Sequence, residues 1–137
     1  MSENGLITIP SNHPVATTID RLAEGVSARG MHVFARIDHA AGAAAAGLQL
    51  RPTVLLIFGN PKSGTAGGTV LMQDRQTAGL DLPNRVLAWE DADGKVWLTY
   101  NDMAWLARRH RLGAASADAV EALAAATATA AAQAAAA

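Results

Sequence analysis

Hydrophobic and polar positions change period several times along the chain, and each change marks an element. Leu6, Ile7 and Ile9 form a short apolar run that Pro10 ends, which reads as a first strand. From Pro14 the period becomes helical: Val15, Ile19, Leu22, Ala23 and Val26 recur three and four residues apart, and Gly30 stops the run. Residues 31–38 alternate, with Val33, Ala35 and Ile37 expected on one face and His32, Phe34, Arg36 and Asp38 on the other. A short alanine-rich helix over 40–46, with Asp38 placed to cap it and Gly47 to close it, follows. After Pro52, residues 53–58 are nearly continuous in apolar, partly β-branched side chains, the pattern of a central and most buried strand.

The second half reads as loop, short helix, hairpin and helix. Gly59-Asn60-Pro61-Lys62-Ser63-Gly64-Thr65 is a loop leading toward a helical turn or two over 69–75, and Leu80-Asp81-Leu82-Pro83 is expected to be extended. Residues 85–90 and 95–100 flank Asp91-Ala92-Asp93-Gly94, whose Asp-Gly ending is a hairpin signal. Asn101 or Asp102 is placed to cap a helix carrying Met103, Leu106 and Ala107, with Arg108, Arg109, His110 and Arg111 near its negative end. Beyond Gly113 alanine makes up 16 of the 24 residues from 114 to 137. Alanine favours helix but buries little, so residues 113–137 are expected as a fringe helix or a frayed tail on a single domain of residues 1–112.

The mixed order of elements, with its hairpin, argues for an α+β fold and against a parallel doubly wound sheet. A formal net charge of -1 gives no field for gathering a polyanion, so nucleic acid is not an expected partner. With no cysteine, thiolate nucleophiles, disulfides and Cys-type metal sites are excluded. No apolar run reaches a bilayer span and the first 14 residues lack a leader pattern, so the expectation is a soluble cytoplasmic protein without a membrane partner.

Several separated motifs, Leu50-Arg51-Pro52-Thr53, Phe58-Gly59-Asn60-Pro61-Lys62, Leu80-Asp81-Leu82-Pro83, Trp89-Glu90-Asp91 and Gly94-Lys95-Val96-Trp97-Leu98-Thr99-Tyr100-Asn101, occur in an order that resembles the bacterial domain-of-unknown-function family numbered 302. Ile37-Asp38-His39-Ala40 and Trp105-Leu106-Ala107-Arg108-Arg109-His110 extend the resemblance over about residues 5–112. It implies a two-layer α/β sandwich with a mixed or mainly antiparallel sheet, of TATA-binding-protein-like topology, assembling as a homodimer. It implies no activity. Asn84 departs from the family pattern, standing where leucine is usual after Leu-Pro.

Candidate chemistry gathers around one expected cleft. The loop with Asn60, Lys62 and Thr65 can offer amides and a cation to an anion, although it lacks the Gly-Lys-Ser/Thr of a P-loop. The competing reading is a tight turn set by Asn60 and Pro61. His39 follows Asp38, which either orients its imidazole or simply caps the next helix and leaves His39 exposed. Asp81, with Lys62 or Arg85 as its expected partner, is either a general base or a brace for loop amides. Tyr100 is placed to line a pocket or to end a strand. Trp89 and Trp97 are expected to face each other on the hairpin. His39, Asn60, Lys62, Thr65, Asp81 and Tyr100 are therefore the expected ligand-binding residues of a homodimeric module for a small, anionic molecule. The alternatives are an assembly protein without ligand, and an enzyme using the same cleft with His39 or Asp81 moving a proton and Lys62 clamping the substrate.

Overall fold

The computed structural model describes residues 4–59 and 67–137. Strand β1 (Leu6–Ser11) and helix α1 (Val15–Ala28) are followed by β2 (His32–Asp38), α2 (His39–Ala45) and β3 (Thr53–Gly59). Helix α3 (Gly68–Asp74) leads through a 3-10 turn (Gln76–Asp81) into the hairpin of β4 (Asn84–Glu90) and β5 (Val96–Asn101). Helix α4 (Met103–His110), a second 3-10 turn (Ala114–Ser116) and α5 (Ala117–Ala135) complete the chain. The strands form one antiparallel sheet in the order β1-β5-β4-β3-β2. Helices α1 and α5 cover one of its faces, which is the expected two-layer α+β sandwich.

Period-two alternation explains the core. Val54, Leu56 and Phe58 of β3, Val86 and Ala88 of β4, and Leu98 and Tyr100 of β5 point to the helices and are buried against Val15, Ile19, Leu22 and Val26. Each such Leu, Ile, Val or Phe contributes about 1.5–3 kcal/mol on burial. Their neighbours Leu55, Ile57, Leu87, Trp89, Trp97 and Thr99 take the opposite face and are only half-buried. Trp89 and Trp97 stand opposite each other, with ring centroids 6.4 Å apart. A second cluster, Leu71, Ala78, Met103, Leu106 and Ala119, joins α3, the first 3-10 turn, α4 and the start of α5.

Four expectations are corrected. Strand β3 is not central; β4 is, and β3 has one face open because the helices cover only one layer. In β2 a bulge between Val33 and Ala35 breaks the alternation: Val33 pairs with Phe58 on the helix side, whereas Ala35 and Ile37 pair with Ile57 and Leu55 on the open side. Arg36 is thereby brought to α1, where Nη1 lies 2.6 Å from Asp20. Residues 80 and 81 belong to a 3-10 turn rather than an extended piece.

The fourth correction is the alanine-rich segment, which is no fringe. Ala130, Ala131, Ala134 and Ala135 enter the main core, because methyl-sized side chains let α5 approach α1 closely. Arg21 of α1 donates to the carbonyls of Gln133, Ala134 and Ala136, and Asn12 donates to that of Ala135. These are the acceptors that a helix end leaves without intrahelical partners. Asn84, the departure from the family pattern, donates Nδ2–H to Thr127 Oγ1 at 3.0 Å and ties β4 to α5 inside the protein.

Local signals elsewhere hold. Asp38 and Asp102 accept from the amides of Ala41 and Ala104 and cap α2 and α4. Gly5 has φ 77° and lies so close to Trp105 that a Cβ would stand 2.5 Å from the indole, a position that only glycine fits.

Candidate functional site

Of the expected site residues that are described, His39 and Tyr100 border one depression and Asp81 lies elsewhere. Asn60, Lys62 and Thr65, with the anion-binding loop assigned to them, lie outside the described residues. His39, at the start of α2, borders a shallow depression of about 210 Å³ on the open face of the sheet, with Leu6, Leu55, Arg85, Leu87 and Thr99. His39 itself is exposed, and Asp38 caps α2 rather than holding the imidazole. Tyr100 borders the same depression but is buried and packs in the helix-side core. Burial, with a smaller effect from Asp102, raises its phenol pKa.

Asp81 has other partners than those expected. Its Oδ2 lies 2.5 Å from Nε2 of His110, and both its oxygens accept from Nη1 of Arg109 at 3.2 Å. Nδ1 of His110 meets Thr77 Oγ1 at 3.0 Å. Arg109 also lies over the Trp105 ring, 5.8 Å from its centroid. Lys62 lies outside the described residues, and Arg85 does not reach Asp81. The reason is the 3-10 turn, which puts Thr77 and Asp81 on the side facing the end of α4. A buried histidine between a carboxylate and a hydroxyl resembles a proton-relay arrangement, but the depression beside His39 is lined by other residues. The cluster joins two elements. Sequence spacing did not reveal it, since the partners are 28 to 33 residues apart.

Arg85, expected beside Asp81, stands on β4. Its Nε is buried without a hydrogen-bond partner on the central strand. Two other carboxylates are held ionised by donors. The amide of Gly113, then the hydroxyl of Ser116, lower the pKa of Asp74. The indole N–H of Trp97, then the amide of Lys95, lower that of Asp91 at the hairpin turn. Among the described residues no three His, Asp or Glu side chains converge as a metal centre requires.

A further depression of about 210 Å³ is lined by Phe34, Gly59, Gly68, Met72, Leu82 and Asn84, among others, at the end of β3 and the start of β4. Its described walls are chiefly apolar.

Comparison with known proteins bears on these geometries. The model of a family described as "Domain of unknown function DUF302" matches residues 7–130. A crystal structure of an uncharacterized conserved DUF302 protein from Bacillus stearothermophilus superposes with a TM-score of 0.72 at 21% identity, covering 89% of this chain and 94% of that one. At that identity the likeness establishes the fold alone. A Brucella suis protein named fluoride-specific ion channel FluC 1 is 59% identical over 121 residues, which are 88% of this chain and 46% of that protein. The Brucella melitensis fluoride-specific ion channel FluC 2 is likewise 59% identical over 88% of this chain and 43% of its own length. The chain thus spans less than half the length of the curated relatives it matches. These relatives overturn the expectation of a soluble cytoplasmic binding module for a small anionic molecule, because proteins this similar carry the name of a membrane channel.

Proposed function

The chain belongs to the DUF302 family, and from that premise we propose that it serves a fluoride-specific channel as the part standing outside the hydrocarbon of the membrane, not as the pore. One observation carries this reading. Relatives named as fluoride-specific channels share 59% identity over 88% of this chain, yet the matched stretch is less than half of each. More than half of every such relative is left to hold a pore.

Physical chemistry supports the same division. A bilayer is crossed by helices of about 20 predominantly apolar residues or by closed barrels, because backbone polar groups must be satisfied inside it. Among the described residues no helix is long and apolar enough to cross a membrane. The sheet is open, ending at β1 on one side and β2 on the other, and such edges leave amide and carbonyl groups without partners.

The test is fluoride flux from proteoliposomes, read with a fluoride electrode. The Brucella suis relative shortened by the stretch matching this chain is expected to pass fluoride, this chain alone to pass none, and the two to co-purify. Flux through this chain alone would overturn the reading, as would a shortened relative that neither binds this chain nor changes its flux when the chain is present.

A further inference from the structure

We propose that the depression between Phe34, Met72, Leu82, Asn84 and Leu123 is a binding site for a neutral, single-ring aromatic molecule that carries one hydroxyl or N–H donor, a phenol being the simplest case. The inference goes beyond the channel reading and does not rest on it. Its starting point is Asn84, the residue that stands where leucine is usual in the family. Only 8% of it is exposed, at the start of β4. A carboxamide so placed needs partners, because a buried donor or acceptor left without one is costly.

The hydrogen bonds around Asn84 fix which way its carboxamide points. Thr127 Oγ1 donates its single proton to the carbonyl of Leu123 at 2.8 Å. Toward Asn84 the hydroxyl therefore only accepts, and it does so from Nδ2 at 3.0 Å. The oxygen Oδ1 is turned the other way and accepts from no donor among the described residues. Nor is it sealed in: among the described residues the one buried side-chain nitrogen or oxygen without a partner is Arg85 Nε. Since Asn84 lines the depression, Oδ1 is an acceptor open to it. A leucine at this position would offer none, so the acceptor belongs to this chain and not to the family pattern.

The walls select what meets that oxygen. Phe34, Met72, Leu82 and Leu123 are apolar, and none of the described lining residues carries a formal charge. An ionised group loses far more hydration than a neutral one on entering such surroundings, so a neutral ligand is favoured. A phenyl ring and a thioether suit a flat aromatic occupant through ring and sulfur contacts. Phe34 is a wall of the depression and yet 46% exposed, so a bound ring would cover apolar surface that otherwise meets solvent. Volume sets the size. A cavity of about 150 Å³ lined by apolar side chains holds benzene, and about 210 Å³ gives room for one ring with a small substituent.

Titration of the isotope-labelled full chain with phenol, followed by amide and methyl NMR shifts, reads affinity and place together. Phenol is expected to bind with a dissociation constant on the order of 1 mM, the range open to so small a ligand, and to shift the methyls of Met72, Leu82 and Leu123. Anisole keeps the ring and loses the donor, and is expected to bind about tenfold more weakly. Benzoate, of similar size but charged, is expected to leave these methyls unmoved. Asn84→Leu installs the residue usual in the family and should abolish the preference for phenol over anisole. Phe34→Ala, at an exposed position, should keep the parent circular dichroism and weaken phenol and anisole alike. Methyls that do not respond to phenol overturn the proposal, as does anisole binding equally well, benzoate binding more tightly, or a preference for phenol that survives Asn84→Leu. Should Asn84→Leu not fold, a Phe34→Ala variant that binds phenol as tightly as the parent overturns it.

Discussion

At the scale of single residues, two carboxylates organise more backbone than their exposure suggests. Asp91 accepts from the amides of Asp93 and Lys95 and from the Trp97 indole, so one side chain shapes the turn and orients a face residue. Asp74 holds Gly113 and Ser116 where α5 begins. Both pKa values are lowered in the folded protein. Their contribution to stability is therefore complete above the unfolded carboxyl value of about 3.9, and is lost as the pH falls below it through the folded-state values. Thermal melts between pH 6 and pH 3, on the order of half-unit steps, should show a shallower acid loss in Asp74→Asn and Asp91→Asn than in the parent. Parallel curves would remove these residues from the acid response. His110 is a different case, since it is buried with Asp81 and Thr77 as its partners. His110→Ala is expected to cost about 2 kcal/mol in urea unfolding, by leaving Asp81 short of a partner and a void behind. A loss below about 0.5 kcal/mol would mean that the cluster contributes nothing to joining the turn and α4.

At the scale of elements, α5 is the instructive one. Its alanine content correctly indicates a helix, yet the same content suggested little burial. Packing reverses the second inference, because small side chains permit close approach to α1. Arg21 fixes that approach by donating to three carbonyls at the end of α5. Arg21→Ala should destabilise the protein by about 1–2 kcal/mol, given charge-assisted bonds at the negative end of a helix dipole. Hydrogen exchange should show the last turns of α5 losing protection first. Equal protection in both proteins would place the anchor elsewhere. The bulge in β2 makes the converse point: the alternation was legible, but an added residue on one strand turns Val33 and Ala35 to opposite faces.

At the scale of the whole molecule, a sheet covered on one side gives the chain two distinct surfaces. One is sealed by α1 and α5; the other carries the tryptophan pair, the Leu87 depression and α2. Relatives named fluoride-specific ion channels match this chain over less than half of their own length, and no described helix of the chain is long and apolar enough to cross a membrane. Much of the architecture was legible in the sequence: the helical period of α1, the Asp-Gly hairpin, the caps Asp38 and Asp102, and the family motifs all act over a few neighbouring residues. The candidate site was not. Asp81 was predicted beside Lys62 or Arg85 and is held by His110 and Arg109, because the partner of a polar side chain is chosen by how helices and turns pack at long range. The sequence by itself determined which segments become strands and helices, since periodicity and capping are local physics. Tertiary structure alone decided which strand is central, which face stays open and which charges meet, since those depend on contacts between residues far apart in the chain.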